Sequence, residues 1–130
     1  MKLPSKRSLV YPQCGIMPHP KFEGQDCIAL HTGGVKGAKG SAKWGVETTY
    51  GGKLTENYIQ AVARDCLLVA MYRAKEAGYE LLLTVHDELI CQKKGGSVED
   101  LMHKINRPID WLPGLLLRAA GEPPADFYCK

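Results

Sequence analysis

The chain has 130 residues, 24 % of them charged, with a formal net charge of +3. That length suits one domain able to bury about two-thirds of its unfolded surface, and the modest charge names no partner by itself. No apolar run approaches the roughly 20 residues of a membrane-spanning helix, and five scattered cysteines without a signal peptide fit a reduced, cytoplasmic setting.

Nine of the fourteen glycines lie between Gly15 and Gly52, so this stretch is expected to be turn-rich. Residues 26–31 and 43–49 read as strands flanking an irregular Gly-rich hairpin over 32–42. The lysines Lys36, Lys39 and Lys43 in that hairpin suit a phosphate backbone, or equally a mobile tip kept soluble by charge. Cys14, His19, Cys27 and His31 prompt a zinc reading, but no C-x-x-C knuckle is present and chance placement is the simpler account.

Residues 54–77 contain neither Gly nor Pro and are dominated by helix formers. Thr55, or Thr48 or Thr49, is the expected cap, and Gly78 the expected stop. At ~100° per residue, Ile59, Val62, Ala63, Cys66, Val69 and Ala70 share one side, expected to be buried. Lys53, Asn57, Gln60 and Arg64 share the opposite side. Residues 67–72 are apolar nearly all round and are expected inside. With Glu56, Asp65 and Glu76 off the polar stripe, that stripe is rich in donors, which suit phosphate oxygens and minor-groove acceptors. A solvated helix face has the same composition.

After Gly78, the apolar residues of 79–85 and of 89–91 enclose His86, Asp87 and Glu88. Two short apolar runs around a polar pair predict a tight β-hairpin with these three residues at its tip. Asp is a common turn residue. Two adjacent carboxylates nevertheless repel unless a cation neutralises them, which makes a divalent metal the economical reading. Ser97-Val98-Glu99-Asp100 then reads as a capped helix start, with Leu101, Met102 and Ile105 as its apolar side, ended by Asn106-Arg107-Pro108. Residues 115–118 read as a last strand, and Trp111 as a packing anchor. The predicted class is α+β: an antiparallel hairpin or sheet packed against a long helix, forming a single partial domain over 1–130.

The segment Y-G-G-K-L-T-E-N-Y-I-Q-A-V-A-R-D at 50–65, followed by G-Y-E-L-L-L-T-V-H-D-E-L-I at 78–90, resembles the C-terminal palm region of family A DNA polymerases, the bacteriophage members of the polymerase I group above all. Lys2-Leu3-Pro4-Ser5-Lys6-Arg7 is similar to that family's L-P-S-G-R strand, with Lys6 where glycine is usual. Trp111-Leu112-Pro113-Gly114-Leu115 and the ending Tyr128-Cys129-Lys130 look like the final segment of phage members. The likeness covers nearly the whole chain, and the helix with its hairpin is its specific part.

The resemblance implies a DNA-directed DNA polymerase acting in replication on primer-template DNA and deoxynucleoside triphosphates, with Mg²⁺ as cofactor. It implies that Asp87 ligates the metals with support from Glu88, that His86 lies against the primer terminus, and that Gln60 touches the minor groove. Where many members have arginine and asparagine eight and four residues before that glutamine, this chain has Gly52 and Glu56, with Lys53 and Asn57 one position over. The family's first-motif aspartate and its fingers helix find no counterpart. These residues are thus expected to be the palm portion of a split or truncated phage or prophage polymerase, inactive alone, whose missing carboxylate a companion polypeptide supplies. The missing palm strand should leave an exposed apolar edge beside the hairpin. A non-catalytic DNA-binding remnant is the alternative. A metal-dependent hydrolase built on His86 and Asp87 would need further ligands, of which His103 and Asp110 are the loose candidates.

Overall fold

The computed structural model describes residues 1–36 and 42–125. Lys39 and the Tyr128-Cys129-Lys130 ending lie outside the described residues. Among those described, the elements run β1 (Gly15–Pro18), β2 (Asp26–Lys36), β3 (Ala42–Thr49), α1 (Gly51–Glu76), β4 (Glu80–Val85), β5 (Glu88–Gln92) and α2 (Val98–Ile105). They form one three-stranded sheet, β1-β2-β3, and one two-stranded sheet, β4-β5, both antiparallel. The class is α+β. No helix among the described residues is long and apolar enough to cross a membrane. The chain divides into two compact units, Met1–Ala61 and Val62–Lys130, and α1 contributes to each.

The first unit opens on a tight turn. Leu3 N–H donates to Arg7 O at 2.8 Å and Lys6 N–H to Leu3 O at 2.9 Å, with Lys2 bridged to Ser8. Lys6 takes φ +69°, the left-handed region where glycine is at ease. Leu3, only 3 % exposed, is driven inward with Ala29 and Ala61, and the Arg7 guanidinium donates to Ala61 O at 3.2 Å. Strands β2 and β3 occur where the sequence places them, but β2 runs on to Lys36. A bulge carries it past Gly33 and Gly34, between the pairs Thr32–Gly45 and Val35–Lys43.

Helix α1 begins at Gly51, three residues earlier than its composition suggests. Thr48 and Thr49 remain in β3, and the Thr55 hydroxyl bonds back to Gly51 O at 2.9 Å, so none of these threonines caps the helix. Instead the chain passes from β3 through Tyr50, whose carbonyl accepts from Leu54 N–H at 3.1 Å. The Tyr50 ring covers Gly52 so closely that a Cβ there would lie 2.7 Å from Cε2. The expected buried side is also corrected. Ile59 is 61 % exposed and Ala63 is exposed; Cys66 is buried as expected, and Ala61, Asp65 and Ala74, which the pattern does not name, are buried too. Residues 67–71 are half-buried rather than enclosed, and Tyr72 is exposed. A helix with apolar residues on several sides has no dominant stripe, so its neighbours choose which side is covered.

In the second unit, local bonds fix the connections between elements. Gly78, at φ +82°, stops α1: its N–H donates to Lys75 O and the Tyr79 N–H to Ala74 O, the paired bonds of a Schellman motif. Lys93 Nζ donates to Ala77 O at 2.7 Å and lies 4.8 Å from the centroid of the buried Tyr79 ring. Tyr79 OH donates to Ser97 O at 2.8 Å, which ties the end of the hairpin to the start of α2. Ser97 caps α2 as expected: Oγ accepts from Asp100 N–H at 3.2 Å and donates to Glu99 Oε2 at 2.7 Å. That bond, then its own backbone N–H, holds the Glu99 carboxyl below its ordinary pKa. Arg73 donates to the carbonyls of Ile105, Arg107 and Pro108, which fastens the chain leaving α2.

Residues 115–118 do not form a strand. Leu116 is 86 % exposed, and Leu115 and Leu117 are exposed too. An apolar run supplies side chains for a sheet, but a strand also needs a neighbour for its backbone groups, and the described residues provide none. In β4, Leu82 sits at a bulge between the pairs Leu81–Cys91 and Leu83–Ile90, and both Leu82 and Leu83 are exposed.

Candidate functional site

Val85 pairs with Glu88, so the turn of the second hairpin contains two residues, His86 and Asp87. His86 has φ +53°. A positive φ at the first of two turn residues is the pattern of a II′ turn, which matches the right-handed twist of the flanking strands and ordinarily takes glycine there. Histidine tolerates the left-handed region better than most residues but remains strained in it. Both turn side chains are exposed. Glu88 corrects the expected three-residue tip: it is the first residue of β5 and half-buried. Asp87 is therefore the carboxylate offered at the apex, with Glu88 beside it in the ladder.

Among the described residues, no three His, Cys, Asp or Glu side chains gather closely enough to hold a metal ion. Asp87 with Glu88 supplies hard oxygen donors of the type Mg²⁺ prefers, in the one-or-two-carboxylate number it uses when substrate phosphates complete its shell. The pair fits part of such a site. The suspected zinc quartet and the His103 and Asp110 pair form no such group. His19 instead closes a local turn, its Nδ1 accepting from the N–H groups of Lys21 and Phe22 at 3.0 and 3.2 Å. Burial raises the Cys91 thiol pKa, and it raises that of Cys66 with a smaller contribution from the Asp65 charge, so neither thiol is poised as a nucleophile.

The polar residues of α1 are engaged more than their composition implies. Lys53 Nζ lies 2.8 Å from Glu56 Oε2, and Gln60 Nε2 donates to Glu56 Oε1 at 3.2 Å. The Lys53 pKa is raised by this hydrogen bond and by the Glu56 charge. Glu56 thus belongs to the donor group from which the sequence reading separated it. The signal was present: Lys53, Glu56 and Gln60 are spaced three and four residues apart, the spacing at which helical side chains meet. Asn57 is half-buried, with Nδ2 3.5 Å from Tyr11 OH, a partner no local pattern announces. Arg64 is exposed.

Comparison with known proteins gives a relative across the whole chain. It is 39 % identical over 132 residues to a DNA polymerase of Bacillus phage SP02, covering all of this chain and 19 % of that protein. The chain thus spans about a fifth of the length of the curated relative it matches. No family model matches, and no solved structure matches.

Proposed function

From that similarity to a phage DNA polymerase, we propose that this chain is the C-terminal palm portion of a family A DNA polymerase. It takes part in nucleotidyl transfer from a deoxynucleoside triphosphate to a primer 3′ end. The reading is carried by the likeness over the whole of this chain, within which His86 and Asp87 of V-H-D-E form an exposed two-residue turn.

Asp87 holds catalytic Mg²⁺ from the apex of the β4–β5 hairpin, and Glu88 supports it from the first position of β5. His86 lies against the primer terminus. Its constrained backbone fixes where both turn side chains start, so orientation is built in before substrate arrives. Gln60, with Asn57, Lys53 and Arg64, meets the minor groove and phosphates of primer-template DNA. Mg²⁺ held at Asp87 would supply activation of the primer hydroxyl and neutralisation of the triphosphate charge. A second carboxylate must come from outside these residues, in the same longer polypeptide or a companion, and these residues alone do not extend a primer. The setting is the cytoplasm of a bacterium carrying the phage or prophage.

The test is a chimera in which this chain replaces the matching segment of the Bacillus phage SP02 DNA polymerase. The chimera should extend a primer with Mg²⁺. Asp87→Asn should cut extension by at least about 10³-fold, since a lost metal ligand removes several kcal/mol of transition-state stabilisation, with DNA affinity nearly unchanged. Full activity of the Asn variant would remove Asp87 from the chemistry.

A further inference from the structure

The chain beyond α2 is held unevenly. Arg73 fixes 105–108 through three carbonyls, and Ile109 is buried. The N–H groups of Leu112 and Leu115 then donate to Ile109 O and Leu112 O at 3.0 and 3.3 Å. Past Gly114 this regularity ends. Gly114 takes φ +84°, with nothing within 4 Å of where a Cβ would stand. Leu115, Leu116 and Leu117 follow at 45, 86 and 37 % exposure, so apolar burial does little to hold them.

The segment is fastened again at two points. Asn106, at the end of α2, uses its side-chain amide in the manner of a peptide group. Its Nδ2 donates to Ala119 O at 3.2 Å, and its Oδ1 accepts from Ala119 N–H at 2.7 Å. Two residues on, Gly121 lies against Val98 and Met102, which are one helical turn apart on α2. A Cβ there would run into Val98 Cγ1 and stand 3.2 Å from Met102 Cγ, so the seat as it stands admits no side chain. Among the described residues, the Asn106 pair supplies the hydrogen bonds that tie 116–121 to the rest of its unit. A segment held by one amide beyond a glycine can open without unfolding the helix beneath it.

We infer that residues 115–121 form a two-state strap, seated on α2 by the Asn106 amide and the bare Gly121 backbone, and released by swinging about Gly114. Seated, the strap shields the half-buried Val98 and Met102; released, it uncovers them. It therefore controls access to the apolar side of α2, and Asn106 sets how often that side opens. The strap stands apart from the polymerase reading, since it uses none of the residues assigned to nucleotidyl transfer.

Trypsin under native conditions reads the balance, through cleavage after the exposed Arg118, next to the held Ala119, identified by mass. A protease needs a chain free of such bonds, so the rate of this cut follows the released population. Asn106→Ala removes both bonds and should speed the cut by about 5- to 150-fold, the population change expected when two hydrogen bonds are lost. Asn106→Asp keeps the acceptor for Ala119 N–H and should fall between. Gly121→Ala should release the strap by a separate route, and adding Val98→Ala should reseat it by making room. Cleavage after Lys104, within α2, is the internal reference and should not change. A cut after Arg118 that ignores both Asn106→Ala and Gly121→Ala overturns the strap. So does a Lys104 cut that accelerates in step, which would mark unfolding of α2 itself. A cut that slows as protein concentration rises also overturns it, because a second copy's tail would then fill the seat.

Discussion

Lys6 and His86 share the left-handed region of backbone space, at φ +69° and +53°, in two turns that glycine would enter without strain. Their settings differ. The Lys6 turn is closed by its own backbone bonds and by burial of Leu3, and no chemistry is assigned to it. The His86 turn closes on the shortest loop a hairpin allows and presents the carboxylate proposed for catalysis. Equal backbone cost in unequal company suggests that strain is incidental at the first site and useful at the second, where it directs two side chains outward.

That contrast can be broken by substitution. Glycine does occupy the same region at Gly78, and the Schellman bonds depend on it. The nearest atom to a Cβ there is Lys93 Cε at 3.8 Å, so alanine would fit spatially and its cost would be conformational. Gly78→Ala should lower stability by about 1–2 kcal/mol, measured by urea unfolding, which sets the scale for a side chain forced into this region. His86→Gly should raise stability by about 1 kcal/mol through relief of strain. It should also lower primer extension by the chimera by about 10²-fold as the turn loses its orientation. Lys6→Gly should bring a gain of about 0.5–1 kcal/mol with extension unchanged. If both glycine variants behave alike in the extension assay, the distinction between the two turns fails.

How legible the molecule was in its sequence follows the range of the forces involved. Gly78 and Ser97 act within a few residues, and both the stop and the cap occur where local patterns place them. The V-H-D-E turn was legible for the same reason, although Glu88 enters the ladder because Val85 needs a partner. The start of α1 was not: Gly51 and Gly52 are poor helix formers, and the adjoining strand with the Tyr50 ring overrides their propensity. The exposure of Ile59 and the missing strand at 115–118 both turn on what lies beside an element in space, which periodicity alone does not contain. In the candidate site, Asp87 and His86 could be picked out from chain pattern, whereas the Asn57 contact with Tyr11 joins residues 46 positions apart.

On the proposed reading, Glu56 has a consequence for how nucleic acid would reach the first turns of α1. Its two oxygens hold the ammonium of Lys53 and the amide of Gln60, so each group already has one partner before any polyanion approaches. Under the proposed function, recognition at Gln60 would start as an exchange, in which an incoming acceptor displaces a carboxylate that also repels it. Selectivity would gain from such a toll, because a poorly aligned duplex end would not replace what it dislodges.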